Sequence, residues 1–335
     1  MKAVLHREKS GVDGLVYSTA EDRHPGYGEV KVKLIAAGLN HRDLFVINDR
    51  NAGDRPLIPG SDGAGIVTEI GEGVSPDLLN LEVALNPTLN WKKADSLPED
   101  LQIIGSPSDG TFADFIIVPA ENAVAKPSHL TWEEAAVLGL SALTAYRALF
   151  TRGGLKAGQH VVIPGIGGGV ATIALQMAKA AGARVSVSSR SEHKLELARQ
   201  LGADFCFESG GSWKARFEET KADLVLDSIG PATYPNYFDI LKPDGRIVSF
   251  GASSGDTVEL PLRALFFPQL SVIGTSMGSS EEFHAMLEFV AKHNLKPVVH
   301  KVFPMRDAVQ AFAYMKEGKQ FGNLTLMSGD KKVWN

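Results

Sequence analysis

Hydrophobic and polar positions alternate in short runs over the first third of the chain and recur at helical spacing further on, so two styles of structure share one polypeptide. Residues 29–34, 64–70 and 111–118 are β-rich or alternating and are separated by Gly and Pro, which predicts short strands joined by turns. Gly60-Ser61-Asp62-Gly63-Ala64-Gly65 and Gly71-Glu72-Gly73-Val74 suit places where the backbone turns tightly or two backbones approach closely. Residues 86–110, with Trp91, Lys92, Lys93 and Pro98, show neither period and are expected to form a long surface loop.

The style changes at Thr131. Thr131-Trp132-Glu133-Glu134 has the form of a capping box ahead of the apolar run 135–150, so a helix is expected to start there. Beyond it, predicted strands at 159–164, 184–188, 224–227, 246–250 and 271–274 alternate with predicted helices at 170–181, 192–201 and 234–241. That alternation implies a parallel sheet covered on both faces. Helical spacing at 281–293 and 307–316 then alternates with strand character at 298–303 and 323–327, and this tail is expected to fold back onto the first region. The expected architecture is α/β, with a doubly wound parallel sheet over 126–275 inserted in a β-rich domain made of 1–125 and 276–335.

Composition bears on partners. The 335 residues are 44% hydrophobic and 22% charged, ordinary globular values, with a formal net charge of −5 and no run of five basic residues. Nucleic acid or an anionic membrane surface has little to hold, so the expected partner is a small molecule. The single cysteine, Cys206, excludes an intrachain disulfide and a Cys-rich zinc lobe, and is itself expected as a buried strand residue. Met1 to His6 lack the apolar core of a signal peptide and no stretch reaches the roughly 18 apolar residues of a membrane span, so the expected location is the cytoplasm.

The most specific local feature is Val161-Val162-Ile163-Pro164-Gly165-Ile166-Gly167-Gly168-Gly169-Val170-Ala171, which joins a predicted strand to a predicted helix. A pyrophosphate needs backbone N–H groups aimed at it from a helix N-terminus, and side chains in the turn would block it. Gly165 and Gly168 meet that need, Ala171 stands where the helix packs on the strand, and Ile166, Gly169 and Val170 complete the expected cofactor-binding turn. A glycine-rich turn that binds nothing is the bland alternative; the strand–helix context within repeated βαβ units argues against it.

At the end of the second strand, where an acid usually holds the ribose 2′-hydroxyl of NAD, the chain reads Val187-Ser188-Ser189-Arg190-Ser191-Glu192-His193-Lys194. Ser189, Arg190 and Lys194 offer donors and positive charge that suit a 2′-phosphate, so NADPH is the expected cofactor. The competing reading makes Ser191 a helix cap and the two cations solvated surface charges.

Several further strings carry a family resemblance: Ala37-Gly38-Leu39-Asn40-His41-Arg42-Asp43, the stretch from Pro56 to Val67, Asp109-Gly110-Thr111-Phe112-Ala113, Leu143-Thr144-Ala145-Tyr146-Arg147-Ala148-Leu149, Leu201-Gly202-Ala203-Asp204 and Lys242-Pro243-Asp244-Gly245-Arg246. Together with the Gly-rich turn they resemble the medium-chain dehydrogenase/reductase superfamily over essentially the whole chain. The resemblance implies a Rossmann domain inserted in a GroES-like catalytic domain, and a homodimer or homotetramer. The zinc branch of that superfamily has metal ligands where this chain has Asn40, Ser61 and a residue near Leu140. None of these three supplies a zinc-type ligand, so no metal is expected and the chain is closer to the zinc-free, quinone-oxidoreductase-like branch. Where that branch often carries an aromatic hydroxyl this chain has Phe45, which cannot donate a hydrogen bond and weakens the case for quinone.

The resemblance puts Asn40 and Ser61 beside the nicotinamide. Without a metal, the charge that grows on a carbonyl oxygen during hydride transfer must be met by hydrogen-bond donors, and these two are the catalytic candidates; simple turn-forming roles are the alternative. By the same resemblance His41 approaches the cofactor pyrophosphate, or is a hydrogen-bonded histidine, and Thr144 lines the nicotinamide pocket, or packs its helix. Asp43 is expected to orient its neighbours, and solvent to supply the proton. The expected activity is NADPH-dependent reduction of a small carbonyl substrate, an enal or enone, a quinone or an aldehyde. Alcohol oxidation, and a catalytically weak structural or RNA-associated protein, remain as alternatives. No G-x-S-x-G elbow supports Ser-His-Asp hydrolysis.

Overall fold

The computed structural model describes residues 1–51 and 53–329. Two compact units emerge, Met1–Leu143 with Gly278–Asn335, and Thr144–Met277.

Among the described residues of the first unit, a seven-stranded sheet runs Val299–Pro304, Asn323–Met327, Glu29–Leu39, Asp62–Ile70, Glu82–Leu85 and Ala123–Ala125, with Phe115–Pro119 also paired to Glu29–Leu39. Alternation along Glu29–Leu39 sends Val30, Val32 and Leu34 into one apolar cluster with Val67, Val83 and Leu85. Ala37 and Leu39, of opposite parity, join a second cluster with Leu44, Ile47, Phe312 and Leu326. The tail does fold back: Asn323–Met327 lies antiparallel to Glu29–Leu39, with Leu324 opposite Leu39 and Met327 opposite Ala36. The α/β unit is therefore inserted between two parts of a GroES-like unit.

Three local features differ from the sequence reading. The stretch before Arg50 is not all β, because His41–Asn48 is a helix whose Leu44 and Ile47, three residues apart, are buried together. Residues 86–110 are not only surface: Thr88–Leu89 pairs with Gln102–Ile103, and Trp91 and Ile104 are buried. The Trp91 ring can sink because its Nε1 donates to the Lys93 carbonyl at 2.8 Å. The run 135–150 is helical but irregular, with π-helical turns at Leu138–Ala142 and Arg147–Arg152. The Thr131 cap is present as read, with its hydroxyl accepting from the Glu134 N–H and Glu134 accepting from the Thr131 N–H.

The second unit holds a six-stranded parallel sheet in the order Phe205–Glu208, Arg184–Ser189, His160–Ile163, Ala222–Asp227, Leu241–Ser249, Ser271–Gly274. Numbered along the chain this is 3-2-1-4-5-6, whose order reverses at the first strand and opens a crevice beyond the strands' carboxyl ends. Trp213, Phe217, Tyr237 and Ile240 fill one flank of the sheet. The buried Tyr237 hydroxyl donates to Asp227 Oδ1 at 2.8 Å, which satisfies both groups. Cys206 stands on a strand, as expected, but is half-buried. Among the described residues no helix is long and apolar enough to cross a membrane.

Candidate active site and cofactor cradle

In the second unit the first strand ends at Ile163 and the chain turns through Gly165, at φ 68°, into the helix Gly169–Ala180 capped by Gly168. A Cβ at Gly165 would stand 2.4 Å from Ile229 Cδ1, and the positive φ favours glycine there. The Ile166 N–H donates to the Ser188 carbonyl at 2.8 Å and ties the turn to the second strand. A Cβ added at Gly168 would meet nothing within 4 Å, so the helix N-terminus faces open space. The first-turn N–H groups of Gly169, Val170 and Ala171 precede the regular ladder, which starts with Thr172 donating to Gly168. Such an end attracts anions.

Lys194 lies over this turn: a Cβ on Gly167 would stand 2.9 Å from its Nζ. Burial, and after it the charge of Arg190, lowers the Lys194 pKa. Lys194 thus adjoins the open turn, and the Arg190 charge acts on it. Ser189 closes the second strand and its Oγ accepts the Ser191 N–H at 3.1 Å, while Ser191 caps Glu192–Gln200 by accepting the Lys194 N–H. The capping role of Ser191 and the cation pair coexist. Arg190 is exposed, and Thr144 is a buried residue of the same unit. His41 opens the helix His41–Asn48 of the other unit and is exposed.

The first unit carries a buried polar cluster where the strand Glu29–Leu39 gives way to that helix. Gly38 pairs with Asp62, so the residues following Gly38 and those around Asp62 are brought side by side. Asn40, the helix N-cap, gives its backbone N–H to Asp43 Oδ2 at 2.8 Å and its amide Nδ2 to Asp62 Oδ2 at 2.9 Å. The other Asp62 oxygen accepts the Leu140 N–H at 2.6 Å, inside the π-helical turn. Gly139 permits this, since a Cβ there would stand 2.7 Å from Asp62 Oδ1 and 2.7 Å from the Leu85 carbonyl oxygen. The Ser141 hydroxyl lies 3.3 Å from Asn40 Oδ1 and 3.1 Å from Asn323 Oδ1. The Asn40 carboxamide is therefore fixed in orientation from both ends.

Ser61 is fully buried. Its Oγ accepts from Arg42 Nη1 at 2.9 Å and donates to Asp43 Oδ1 at 3.4 Å. Burial pushes the Asp62 carboxyl up to about 8, with the neighbouring Asp43 charge adding to the rise, and pushes Asp43 up to about 6. Asp62 is then largely neutral at pH 7. Sequence reasoning singled out Asn40, Ser61 and Asp43 but assigned nothing to Arg42 or Asp62. The adjacent acidic and basic residues in Arg42-Asp43 and Ser61-Asp62, within two apolar and glycine-rich strings, were the available signal.

The donor set does not match a zinc site. Catalytic zinc takes sulfur, imidazole nitrogen or carboxylate oxygen from three residues. Asn40 turns its Nδ2 donor toward Asp62, Ser61 is bonded by a guanidinium, and Leu140 offers only its backbone to the cluster. Among the described residues no group of three or more His, Cys, Asp or Glu side chains is placed to hold a metal ion.

A 3-2-1-4-5-6 sheet with a glycine turn at its crevice, inserted in a β-rich unit with a buried polar cluster, defines a two-unit dehydrogenase-type architecture. Residues 26–128 match the alcohol dehydrogenase GroES-like domain and residues 169–292 the zinc-binding dehydrogenase domain. The chain is 35% identical over 330 residues to the zinc-type alcohol dehydrogenase-like protein YogA of Leptosphaeria maculans, covering 90% of this chain and 91% of that one. It is 34% identical to a zinc-type alcohol dehydrogenase-like protein of Schizosaccharomyces pombe, covering 97% and 99%. A crystal structure of an NAD-dependent alcohol dehydrogenase superposes with a TM-score of 0.91 at 33% identity, covering 98% of this chain and 100% of that one. The chain belongs to the medium-chain dehydrogenase/reductase superfamily and is an oxidoreductase of its alcohol dehydrogenase-like type.

Proposed function

We propose that the protein is an NADPH-dependent, zinc-independent oxidoreductase that reduces a small carbonyl substrate, an enal or enone, a quinone or an aldehyde. The observation that carries the cofactor choice is Lys194 lying over Gly167 with Arg190 beside it, at the end of a strand that lacks an acid. A 2′-phosphate gains charge-assisted bonds in that setting, which a diol cannot form. Gly165, Ile166, Gly168, Gly169 and Val170 would hold the pyrophosphate at the helix N-terminus, with His41 and Thr144 as further cofactor contacts. Bound there, a reduced nicotinamide supplies the hydride.

Zinc independence rests on the donor chemistry at Asn40, Ser61 and Leu140. Asn40 gives one Nδ2 hydrogen to Asp62 and has no partner for the other among the described residues, which leaves a fixed donor for a substrate oxygen. Ser61 acts with it by holding the Arg42 guanidinium. Solvent is the proposed source of the proton.

The names of the relatives favour a second reading, alcohol oxidation, which uses the same residues in reverse. Titrating NADPH and NADH in parallel, then following nicotinamide absorbance with enals, quinones and aldehydes and, in reverse, with alcohols and NADP, tests both. Equal affinity for the two cofactors removes the 2′-phosphate assignment, and turnover of alcohols alone selects the second reading.

Self-association belongs to the same proposal. Ser271–Gly274 is an edge strand with Val272 45% exposed, and Leu262, Phe266 and Phe267 nearby in the chain are 63%, 55% and 74% exposed. An open apolar edge of this kind pairs readily with a second copy, giving a homodimer or a homotetramer of two such pairs. Sedimentation equilibrium reads the state directly. A cytoplasmic setting, where NADPH is the common reductant, completes the reading.

A further inference from the structure

The mismatch with a zinc site has a counterpart in the cation that occupies its neighbourhood. Arg42 sits in the first turn of the helix His41–Asn48 and its guanidinium bonds Ser61, one of the three residues at positions that resemble metal-ligand positions. Nη1 donates to Ser61 Oγ at 2.9 Å and to the Ile104 carbonyl at 3.3 Å, and Nη2 donates to the Ser106 carbonyl at 3.2 Å.

These bonds use three of the five N–H donors that a guanidinium carries. The remaining donors have no partner among the described residues, and no carboxylate there lies within ion-pair distance of Arg42. All three acceptors are a hydroxyl or carbonyls, which orient the group without neutralising it. The two nearest acids, Asp43 and Asp62, act on the guanidinium through space, and neither accepts a hydrogen bond from it. Arg42 itself is partly exposed.

A half-buried cation with a fixed plane, no carboxylate in contact and donors left over is an anion site. We propose that Arg42 is the substrate-anchoring residue of this unit and that it takes a carboxylate, so that the carbonyl substrates of the proposed reaction are oxo acids or their unsaturated equivalents. The inference rests on the proposed function for the word substrate, but the binding site stands without it. A neutral aldehyde or ketone presents one oxygen and no charge, and leaves the guanidinium unmatched. A carboxylate supplies two oxygens and the missing charge. The alternative is that Arg42 is a strap fastening Ile104 and Ser106 to the helix, which three bonds already accomplish.

Binding decides between the two, with the full chain and no cofactor present. Butyrate and its neutral isostere butyramide are titrated into the wild type and followed by ligand-detected NMR. The expected result is saturable butyrate binding at least tenfold tighter than butyramide binding. The Arg42→Gln variant is expected to abolish the difference, and Arg42→Lys, which keeps the charge but loses the fork, to retain only a small part of it. Equal binding of acid and amide by the wild type overturns the proposal without recourse to any variant, as does undetectable binding of both. Unchanged selectivity in a folded Arg42→Gln protein, judged by its thermal melt, overturns it as well. A lowered melting temperature with selectivity kept identifies a strap. If butyrate binds as expected while NADPH is oxidised with neutral enals, quinones or aldehydes but with no oxo acid, the anion site stands and the oxo-acid assignment is overturned; if NADPH is oxidised with none of them, the proposed function fails.

Discussion

Asn40 Nδ2 donates to Asp62 Oδ2 at 2.9 Å inside the protein, joining the N-cap of a helix to the first residue of the neighbouring strand. Neither residue is free to rotate. Asn40 Oδ1 is within reach of Ser141, and Asp62 Oδ1 holds the Leu140 N–H. The pair is therefore the hinge pin of the polar cluster, and its protonation should be visible in stability.

Asp62 has a folded-state pKa of about 8 against an ordinary 3.8, and Asp43 one of about 6. A raised carboxyl pKa means the folded chain binds a proton that the unfolded chain has lost. Stability from such a group is fully present below pH 3.8 and drains away as pH rises to the folded pKa. The limiting slope is about 1.4 kcal/mol per pH unit per group. Wild-type stability in urea is expected to fall between pH 5 and pH 8 relative to Asp62→Asn, whose amide keeps the neutral form's shape. Parallel curves for the two proteins across that range would show that Asp62 is ionised throughout.

Gly139 is expected to resist substitution. A Cβ there would press on Asp62 Oδ1 and on the Leu85 carbonyl, both at 2.7 Å and both held by backbone or buried bonds. Gly139→Ala should cost about 1–3 kcal/mol, the usual range for overpacking a rigid interior. Thermal melting beside Gly168→Ala gives the control, because at Gly168 a Cβ meets nothing within 4 Å. Comparable melting temperatures for the two variants would mean that the π-helical turn yields easily.

Which parts of the fold could be read in advance follows from how local their causes are. The helix Glu192–Gln200 and the strand Arg184–Ser189 follow from period, capping and flanking glycine, all within a few residues. The helix His41–Asn48 is only 8 residues long and sits among β-rich neighbours, so its cause is Asp43 reaching back to the Asn40 N–H. Ile104 is buried in the apolar cluster of a sheet whose strands are remote in sequence. The site divides in the same way. The glycine turn is a local motif, whereas the Arg42–Ser61 and Asp62–Leu140 bonds span 19 and 78 positions and depend on Gly38 facing Asp62.

Cofactor choice should be separable from cofactor binding. Lys194→Ala removes the cation lying over Gly167 but leaves the helix N-terminus open, so NADPH affinity is expected to fall about tenfold and NADH affinity to change little. The Ser191 cap accepts from the Lys194 backbone, which the substitution retains, so the helix Glu192–Gln200 should survive. Fluorescence titration with both cofactors measures the ratio. An equal loss for the two would place Lys194 at the pyrophosphate instead of at the 2′-phosphate.

Purified protein is expected to contain no stoichiometric zinc that tracks with activity, and activity to survive chelator, by elemental analysis and assay of the same sample. A stronger version separates missing ligands from a hostile field. Replacing Asn40→Cys, Ser61→His and Leu140→Cys restores the sulfur and nitrogen donor types but keeps the Arg42 guanidinium against position 61. Two like charges in a partly desolvated pocket repel by several kcal/mol at about 4 Å and an effective dielectric of about 20. That triple variant should bind zinc weakly in competition with a chelating dye, and adding Arg42→Ser should tighten it by at least tenfold. Tight zinc binding by the triple variant alone would show that the guanidinium swings away and that the ligands, not the cation, set the metal content.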